Sequence, residues 1–456
     1  MEKGLSLNLW LSELADRAYW VAVVGAGPAG IFAARRLAEK GVYVVLFNRD
    51  IRAGGLAEYG IYYDKYKMKS GLRRQFVREL RSDHIIYLGN VTVGEDGDLT
   101  LKDLWDLGFQ AVLVTTGAQG VKSLGIPGED LQGVYHAKEI VYHYNGLPPY
   151  SQKHFEIGRR AALIGVGNVM TDIATYLIRD LHVDEVIAVA RRGPAEVKFD
   201  KKEFARVIAN MDREDFEQEM LRVSDRMRAV GQDPEQAKAY ILSAQKKSLP
   251  PVSATRFRFR FLSSPRRILP DASGRVRGLE VEDTKLVWQG DRTRAVGLGT
   301  FATLTVDTVI FCIGDAVDPR LGLPREGTSY AKNPHPRFPV DGISYEAYDP
   351  QSGTPIEGVF LAGWAREASN GLVGTARKDG ERGAEAVWQY LQTLAPGQGI
   401  DWKALEHRFK VLGKPVVTKE DWLRLLEVEE WEAKERGLPF FHFTTNEDML
   451  RAIGKI

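Results

Sequence analysis

The sequence predicts an α/β protein built on two Rossmann-like units. Two observations predict this class: an apolar strand runs into a G-x-G-x-x-G turn and a helix at residues 21–40, and a second strand–turn–helix pattern begins at residue 161. Near-continuous apolar strands that alternate with helices are typical of a parallel sheet covered on both faces. A length of 456 residues predicts two or three domains.

The first unit centres on Gly25, Gly27 and Gly30. An apolar strand precedes them, the helical run Ile31–Lys40 follows, and a second apolar strand completes a βαβ unit. In this context the first glycine permits a sharp turn, the second lets backbone approach a pyrophosphate, and the third lets the helix pack against the strand. The pattern predicts a dinucleotide site, and a glycine-rich turn without a ligand is the weaker alternative.

Three further positions are expected to line this first site. Asn48 ends the second strand, where an acidic residue normally binds a ribose diol, and its amide can both donate and accept. Gly55 lies in a stretch, 54–61, that suits a backbone held against a planar ligand, although a simple surface loop is an alternative. Gly117 ends another buried strand.

The second unit predicts a second nucleotide site. Gly165 and Gly167 follow an apolar strand, and Asn168, Val169 and Met170 open the next helix. Met170 replaces the third glycine, which predicts a helix that stands slightly off the strand.

Two arginines indicate which cofactor the second site prefers. Arg191 and Arg192 end the following strand, where an acid would bind an adenosine 2′-hydroxyl. Two guanidiniums suit a 2′-phosphate, because they carry fixed charge and bind oxygens in pairs. The pattern favours NADP over NAD, and a solvated arginine pair is the alternative.

Composition narrows the classes of function. A net charge of +1 gives no global attraction to nucleic acid or a membrane surface, and no apolar run approaches the roughly 18 residues of a membrane span. The single cysteine, Cys312, cannot form an intrachain disulfide, a C-x-x-C pair or an iron–sulfur cluster. Thioredoxin-reductase and glutathione-reductase chemistry is thereby excluded, no metal site is expected, and Cys312 is predicted to be inert core. Residues 1–20 lack the pattern of a signal peptide, which predicts a cytoplasmic protein.

Three other stretches carry weaker signals. Residues 255–261 alternate aromatic and basic side chains, which predicts a packed strand with solvated arginines rather than a nucleic-acid platform. Residues 201–247 read as charged helices and residues 315–355 as linker and loop. Residues 401–456 are amphipathic and rich in Trp, which predicts a helical packing appendage.

Two dinucleotide sites in one chain predict two cofactors, FAD in the first and NADP(H) in the second, with hydride transfer between them. Gly371, Leu372 and Val373 open a helix after a strand, and their amides are expected to face negative charge on the flavin. Trp364 could stack on the flavin or hydrogen-bond near it; an ordinary core aromatic is the alternative.

Together these motifs resemble the adrenodoxin-reductase-type ferredoxin–NADP⁺ reductases, a branch of the flavoproteins with two dinucleotide-binding domains. The matching segments run nearly the whole length of the chain. They include V-V-G-A-G-P-A-G at 23–30, G-L-A-E-Y-G-I at 55–61, I-P-G-E at 126–129, Y-N-G-L-P at 144–148, G-V-G-N-V at 165–169, R-R-G-P at 191–194, F-L-S-S-P at 261–265, G-W at 363–364 and E-D-M-L at 447–450.

The resemblance implies a discontinuous FAD domain, residues 1–118 and 318–456, with an NADP domain inserted at 119–317 and a helical C-terminal appendage. The implied FAD contacts are Ala29, Leu56, Val93, Trp364 and Gly371–Val373. The implied NADP contacts are Gly167–Met170, Arg191, Arg192, Glu203 and Gly371. Asp172 matches an acidic residue near the ring junction, and Asp172 and Trp364 are the expected catalytic residues.

The implied function is that of an NADPH:ferredoxin oxidoreductase, which passes electrons through FAD to a small iron–sulfur protein, or in reverse. Several family positions differ here: Asn48 replaces an acid, Lys65 replaces a histidine, and the basic helix after the second site has mixed charge. Alternative acceptors, such as flavodoxin or a quinone, therefore stay open. So does a flavoprotein electron-transfer subunit or redox sensor without independent turnover. The sequence specifies no oligomeric state.

Overall fold

A computed structural model describes residues 18–397 and 399–456. The remainder of the lead-in, residues 1–17, lies outside the described residues, as does the start of the expected first domain. The chain divides into two compact units. Unit 1 comprises the described residues up to Val121 together with Tyr142–Gln152 and Asp315–Ile456, and unit 2 comprises Lys122–Val141 and Lys153–Gly314. The segment 142–152, expected in the second domain, belongs to unit 1.

The secondary structure follows the alternation expected of two βαβ-type units. The strands are β1 Trp20–Val24, β2 Tyr43–Asn48, β3 Ile85–Gly89, β4 Ala111–Val114, β5 Gly120–Val121, β6 Val134–His136, β7 Arg160–Ile164, β8 Glu185–Val189, β9 Arg256–Arg260, β10 Ser263–Pro270, β11 Val276–Gln289, β12 Arg292–Leu304, β13 Thr308–Phe311, β14 Asp315–Ala316, β15 Arg325–Glu326, β16 Ser329–Tyr330, β17 Glu346–Asp349 and β18 Thr354–Leu361. The helices are α1 Pro28–Ala38, α2 Leu56–Tyr59, α3 Tyr66–Glu79, α4 Leu101–Asp106, α5 Ala137–Tyr144, α6 Asn168–Arg179, α7 Lys201–Phe204, α8 Arg213–Arg228, α9 Pro234–Leu242, α10 Val373–Leu391, α11 Trp402–Leu412, α12 Lys419–Glu435 and α13 Asn446–Ala452.

Unit 1 contains a six-stranded sheet in the order β17-β18-β4-β1-β2-β3. All neighbours are parallel except β17, which pairs antiparallel with β18 at the edge. Successive side chains of β1 enter opposite faces: Val21 and Val23 join one apolar cluster, and Ala22 and Val24 join another. This alternation buries both faces of the central strand, which explains its uninterrupted apolar sequence.

Unit 2 contains a second parallel sheet in the order β6-β13-β7-β8-β9 and a three-stranded antiparallel sheet, β10-β11-β12. The two parallel sheets confirm the predicted fold class. The sequence analysis did not anticipate β12, whose residues are all exposed or half-buried, because no buried apolar face marks it.

The alternating strand β9 is packed as predicted, but its arginines are not simply solvated. Phe257 and Phe259 are buried, whereas Arg256 and Arg258 extend to the other face. Arg256 donates to Asp212 at 2.7 Å and Arg258 to Asp215 at 2.8 Å. The arginines are therefore solvent-accessible, as predicted, and they also pair with acidic side chains around the start of α8, which the pattern did not indicate.

The C-terminal helices pack on unit 1. Thr418 and Asp421 form a capping box at the start of α12, and Trp422 and Leu425 of that helix enter the core. The region 315–355, expected to be loop, also contributes the short strands β14 to β17. Among the residues that the structure describes, no helix has the length and apolarity needed to cross a membrane.

Candidate functional site

The glycine turn of unit 1 leaves open space at a helix N-terminus. Gly25 has φ +108°, and a Cβ there would lie 2.7 Å from the Thr115 carbonyl oxygen. A Cβ on Gly30 would overlap the Gly25 carbonyl oxygen, whereas one on Gly27 would meet nothing within 4 Å. Gly27 caps α1 without a side-chain hydrogen bond, and Ala29 lies in the first turn. The turn therefore offers uncapped backbone amides to an anion.

Neighbouring strands hold this turn in place. The Gly25 amide donates to the Phe47 carbonyl of β2 at 2.7 Å, and the Thr115 hydroxyl after β4 donates to the Gly25 carbonyl at 2.7 Å. Because β1, β2, β4 and β18 are parallel, their carboxyl ends lie at one edge of the sheet, where α/β folds bind ligands.

Asn48 has a structural role that the sequence analysis did not anticipate. Its Oδ1 accepts from the Ala26 amide at 3.0 Å, and its Nδ2 donates to the carbonyls of Asp50 at 2.7 Å and Arg52 at 2.9 Å. The side chain is buried and bonded to protein at both polar atoms, so it supports the glycine turn from the adjacent strand. Its bond to a ribose stays a prediction, and a diol would have to compete with these partners.

The other expected residues of the first site lie in different surroundings. Gly55 has φ +51°, and a Cβ there would lie 3.0 Å from the Gly27 Cα, so it packs directly against the turn. Leu56 begins α2 and packs with a small aromatic cluster. Gly117, with φ +70°, follows β4. Val93 is buried in the apolar cluster on one face of the sheet, and its contact with FAD stays a prediction.

A tight turn after β18 brings Trp364 to the same sheet edge. Gly363 has φ +65°, and a Cβ there would lie 2.8 Å from the Ala29 Cβ of α1. Asp379 of α10 accepts from the Gly363 amide at 2.6 Å and from the Arg366 guanidinium at 2.8 Å. The Trp364 indole N–H donates to the Asn370 carbonyl at 2.8 Å.

Helix α10 begins close to this turn in the chain, with an open N-terminus. Its N-cap, Leu372, forms no side-chain cap and is 75% exposed, and Gly371 with φ +74° precedes it. The amides at Val373 and beyond are therefore available to an external acceptor. This geometry suits the expected role of 371–373 as backbone donors.

The glycine turn of unit 2 repeats the pattern of the first. Gly165 has φ +122°, and a Cβ there would lie 2.5 Å from the Cys312 carbonyl oxygen. The Gly165 amide donates to the Val189 carbonyl of β8 at 2.9 Å. Gly167 caps α6 with no side-chain bond and with no atom within 4 Å of its Cβ position.

The first turn of α6 combines buried and accessible side chains. Met170 is fully buried, in place of the third glycine, and Val169 is 41% exposed. Asn168 Oδ1 accepts from the Asp200 amide at 2.7 Å and so fixes the loop that leads to Glu203. Asp172 lies near Cys312: burial raises the pKa of that thiol, and the charge of Asp172 raises it further. The thiol is therefore protonated and inert, as expected.

The two arginines after β8 are held by their backbone and not by carboxylates. The Thr284 hydroxyl donates to the Arg191 carbonyl at 2.7 Å, and the Leu262 amide donates to the Arg192 carbonyl at 3.1 Å. Neither guanidinium has an ion-pair partner among the described residues. Their charge is therefore available for an anionic ligand.

Known proteins share this architecture. Residues 19–241 match the family model described as pyridine nucleotide-disulphide oxidoreductase. The chain is 26% identical over 482 residues to the mitochondrial NADPH:adrenodoxin oxidoreductase of Mus musculus, covering 95% of this chain and 91% of that protein. It is 27% identical to the NADPH-ferredoxin reductase FprA of Mycobacterium tuberculosis, covering 95% and 99%. A structure of Mycobacterium tuberculosis FprA in complex with NADPH has the same fold, with a TM-score of 0.75, 24% identity and coverage of 96% and 100%.

The chain is similar to the adrenodoxin-reductase-type reductases. The relatives span nearly the full length of this chain, which confirms the resemblance drawn from its motifs.

Unit 1 carries a buried charged network that was not predicted from the sequence. Arg52 forms an ion pair with Glu429 of α12, and both side chains are at most 4% exposed. His442 Nδ1 lies 3.0 Å from Glu429 Oε2, and its Nε2 lies 2.5 Å from Glu58 Oε1. Arg73 also donates to Glu58, at 2.7 Å. The network ties the C-terminal segment to α2, beside Gly55.

Electrostatics hold the two carboxylates of this network in their charged form. Burial alone would raise the pKa of Glu58, but His442 and Arg73 hold it well below its usual value. The same balance, with Arg52 and His442 as partners, lowers the pKa of Glu429 to about 2. Burial lowers the pKa of the neighbouring Lys69 to about 8. No local sequence signal marks these partners, because Arg52 and Glu429 are 377 positions apart.

The residues present fit two dinucleotides. Both glycine turns have the same geometry: a Cβ on the first glycine would clash with neighbouring backbone, whereas a Cβ on the second would meet no atom within 4 Å. Within the described ranges, no group of three or more His, Cys, Asp or Glu side chains could hold a metal ion.

Proposed function

We propose that this chain is an FAD-dependent NADPH:ferredoxin oxidoreductase. The observation that carries the proposal is the pair of uncapped glycine turns in two separate parallel sheets, with two unneutralised arginines after β8 of the second. Two relatives that cover the chain almost fully are named as NADPH reductases of adrenodoxin or ferredoxin, which supports the same activity.

Unit 1 binds FAD through backbone. Gly25, Gly27 and Gly30 bring the amides of α1 to the pyrophosphate, and the N-terminus of α10 supplies further donors. The positive end of the α10 dipole would favour electron density on a flavin bound next to it. Asp379 holds the Gly363 turn and thereby positions Trp364.

Trp364 acts through its ring. Its indole N–H is already bonded to the Asn370 carbonyl, so the side chain contributes packing and not a hydrogen bond to the cofactor. This bond also fixes the orientation of the ring relative to the loop 364–370, which is what a stacking residue requires.

Unit 2 binds NADPH through the turn at Gly165 and Gly167 and through Arg191 and Arg192, which bind the 2′-phosphate. Glu203 and Asp172 complete the proposed site. The bound pair supplies hydride transfer from NADPH to FAD, followed by delivery of single electrons to a small iron–sulfur protein. A cytoplasmic location stays a prediction.

The test combines cofactor preference with acceptor dependence. In the variant Arg191→Ala/Arg192→Ala, loss of charge-assisted bonds predicts an NADPH-over-NADH preference that is about 10- to 100-fold smaller, measured as kcat/KM for ferricyanide reduction. Arg294→Ala, an exposed arginine of β12, serves as the control. An unchanged preference would overturn the NADP assignment.

The acceptor is tested by anaerobic reduction of cytochrome c with NADPH, with and without ferredoxin. Rates that rise and saturate with ferredoxin are expected. Flavin that bleaches with NADPH while ferredoxin adds nothing would contradict the ferredoxin reductase activity and indicate another acceptor, such as flavodoxin or a quinone, or a partner subunit.

A further inference from the structure

Helix α3 of unit 1 has an unusual concentration of positive charge. Residues 65–81 contain seven Lys and Arg side chains and a single carboxylate, Glu79. The nearest acids in the chain, Asp64 and Asp83, flank this stretch on either side. A protein with a net charge of +1 therefore places a local surplus of six positive charges on one helix and the residues that directly flank it.

Four of these cations form one exposed row. Lys67, Arg74 and Arg78 lie on α3 at positions i, i+7 and i+11, and Arg81 follows the end of the helix at i+14. Positions with this spacing lie on one helix face. The three on the helix span about 17 Å at 1.5 Å per residue. We call these four residues the basic stripe.

The inward-facing cations of α3 have side-chain partners within the fold, whereas three of the four stripe residues have no ion-pair partner among the described residues. Arg73 pairs with Glu58, and Lys69 donates to Asn145 at 2.7 Å. In contrast, Lys67, Arg74 and Arg81 have no ion-pair partner among the described residues. Arg78, the fourth member, contacts Glu79 at 3.0 Å, but that carboxylate is buried and shared with Arg35.

Other basic helical surfaces of the chain are balanced by acids. In the last turn of α1, Arg36 and Lys40 both lie near Glu385, and Arg35 pairs with Glu39. Residues 212–228, which include α8, contain six carboxylates and four arginines. Neither of these two helical surfaces has the unbalanced positive charge of α3.

The helix that carries the basic stripe is joined to the first glycine turn through α2. Arg73 joins α3 to α2 through Glu58, and Gly55 at the start of α2 packs against Gly27 of the first glycine turn. Met68 beside the stripe is 56% exposed, so an apolar contact adjoins the charges. The face thus lies one helix away from the segment assigned to the flavin.

We infer that the basic stripe is the docking surface for an acidic electron-carrier protein, the acceptor of the proposed reaction. This inference rests on the proposed function and locates its partner. Charge complementarity of this kind steers association and fixes orientation. The exposed lysine and arginines supply the positive field, and the partner must present carboxylates at a matching spacing around its redox centre.

The test compares two charge-reversal variants of equal net charge. The stripe variant is Lys67→Glu/Arg74→Glu/Arg81→Glu. The control is Arg277→Glu/Lys285→Glu/Arg294→Glu, three exposed residues of β11 and β12 without ion-pair partners among the described residues. NADPH-driven reduction of ferricyanide, a small acceptor, reports the two-cofactor core and should be unchanged in both. The protein acceptors are an acidic [2Fe–2S] ferredoxin and an acidic [4Fe–4S] ferredoxin.

The expected result is a KM for ferredoxin that rises about tenfold or more in the stripe variant and stays unchanged in the control. The wild-type rate should fall with added salt, and this dependence should weaken in the stripe variant. A stripe variant that reduces ferredoxin like the control overturns the docking surface but leaves the proposed function intact. Wild-type protein that reduces ferricyanide but neither ferredoxin overturns both. Salt-dependent duplex DNA binding that only the stripe variant loses, with normal ferredoxin kinetics, assigns the surface to nucleic acid instead.

Discussion

Replacing Glu429 by glutamine removes the charge that holds α12 to the segment beside α2. The carboxylate accepts from Arg52, from the Phe443 amide at 2.9 Å and from His442, and its side chain is 4% exposed. Glutamine has nearly the same shape, so the substitution changes charge and hydrogen bonding with little change in packing. The guanidinium of Arg52 is then left in the core without its counter-charge.

Two estimates of the magnitude agree. Breaking one side of a buried ion pair costs about 3–5 kcal/mol. The pKa of Glu429 is lowered from 4.5 to about 2, which corresponds to roughly 3 kcal/mol at about 1.4 kcal/mol per pH unit. Because the folded-state pKa is lowered, this stability is present above pH 4.5 and is lost as the pH falls from 4.5 towards 2. At about 2 °C per kcal/mol for a unit of this size, the midpoint should fall by about 6 °C at pH 7.

Thermal unfolding followed by circular dichroism measures this effect. Glu430→Gln is the matched control, because Glu430 is the exposed neighbour on the same helix and should shift the midpoint by about 1 °C or less. The difference between wild type and Glu429→Gln should shrink as the pH is lowered below 4. A Glu429→Gln protein that melts with the control, or a difference that is the same at pH 3.5 and pH 7, would refute the reasoning.

Two further outcomes follow from the structure. Gly30→Ala should lose most of its bound flavin, because the new Cβ would overlap the Gly25 carbonyl. The control Gly71→Ala on α3 meets no atom within 4 Å, so this variant should keep its flavin and gain up to about 1 kcal/mol of folding stability. The flavin-to-protein absorbance ratio and the melting midpoint measure these effects, and equal flavin content in the two variants would contradict the role of the turn. Cys312 should not react with Ellman's reagent in the native protein, since burial raises the pKa of its thiol. In guanidinium the same reagent should detect one thiol per chain. A rapid reaction of the native protein would show that the end of the strand is accessible.

Most of the fold could be predicted from local sequence patterns. The turns at Gly25 and Gly165 were predictable because each glycine meets a steric requirement set by its own strand and helix. The alternation of β9 was predictable for the same reason, although the partners of Arg256 and Arg258 were not. Nothing in a period-two pattern says which helix will cover the polar face.

Long-range partners could not be predicted from the sequence. Asn48 matches the position of a ribose ligand, yet its amide is bonded to the Ala26 amide and to two carbonyls, and only three-dimensional positions show this. The pairing of Arg52 with Glu429 depends on how the C-terminal helices fold back. The residues next to either side chain in the sequence do not indicate this pairing. The C-terminal segment was predicted as a packing appendage, and its buried charges give it a second role beside α2.

The division of unit 1 into separate stretches of chain has a consequence for its synthesis. Val112 of β4 pairs with Val359 of β18, so the outer edge of β4 has no partner until 247 more residues have been translated. At about 5–20 residues per second, this interval lasts roughly 12–50 s. The bulk of unit 2 is translated within that interval and can fold first, while the incomplete sheet of unit 1 exposes a strand edge to aggregation. The sheet that carries the first glycine turn is therefore complete only after β18 has been made, and we expect overexpression at low temperature with abundant flavin to favour the intact protein.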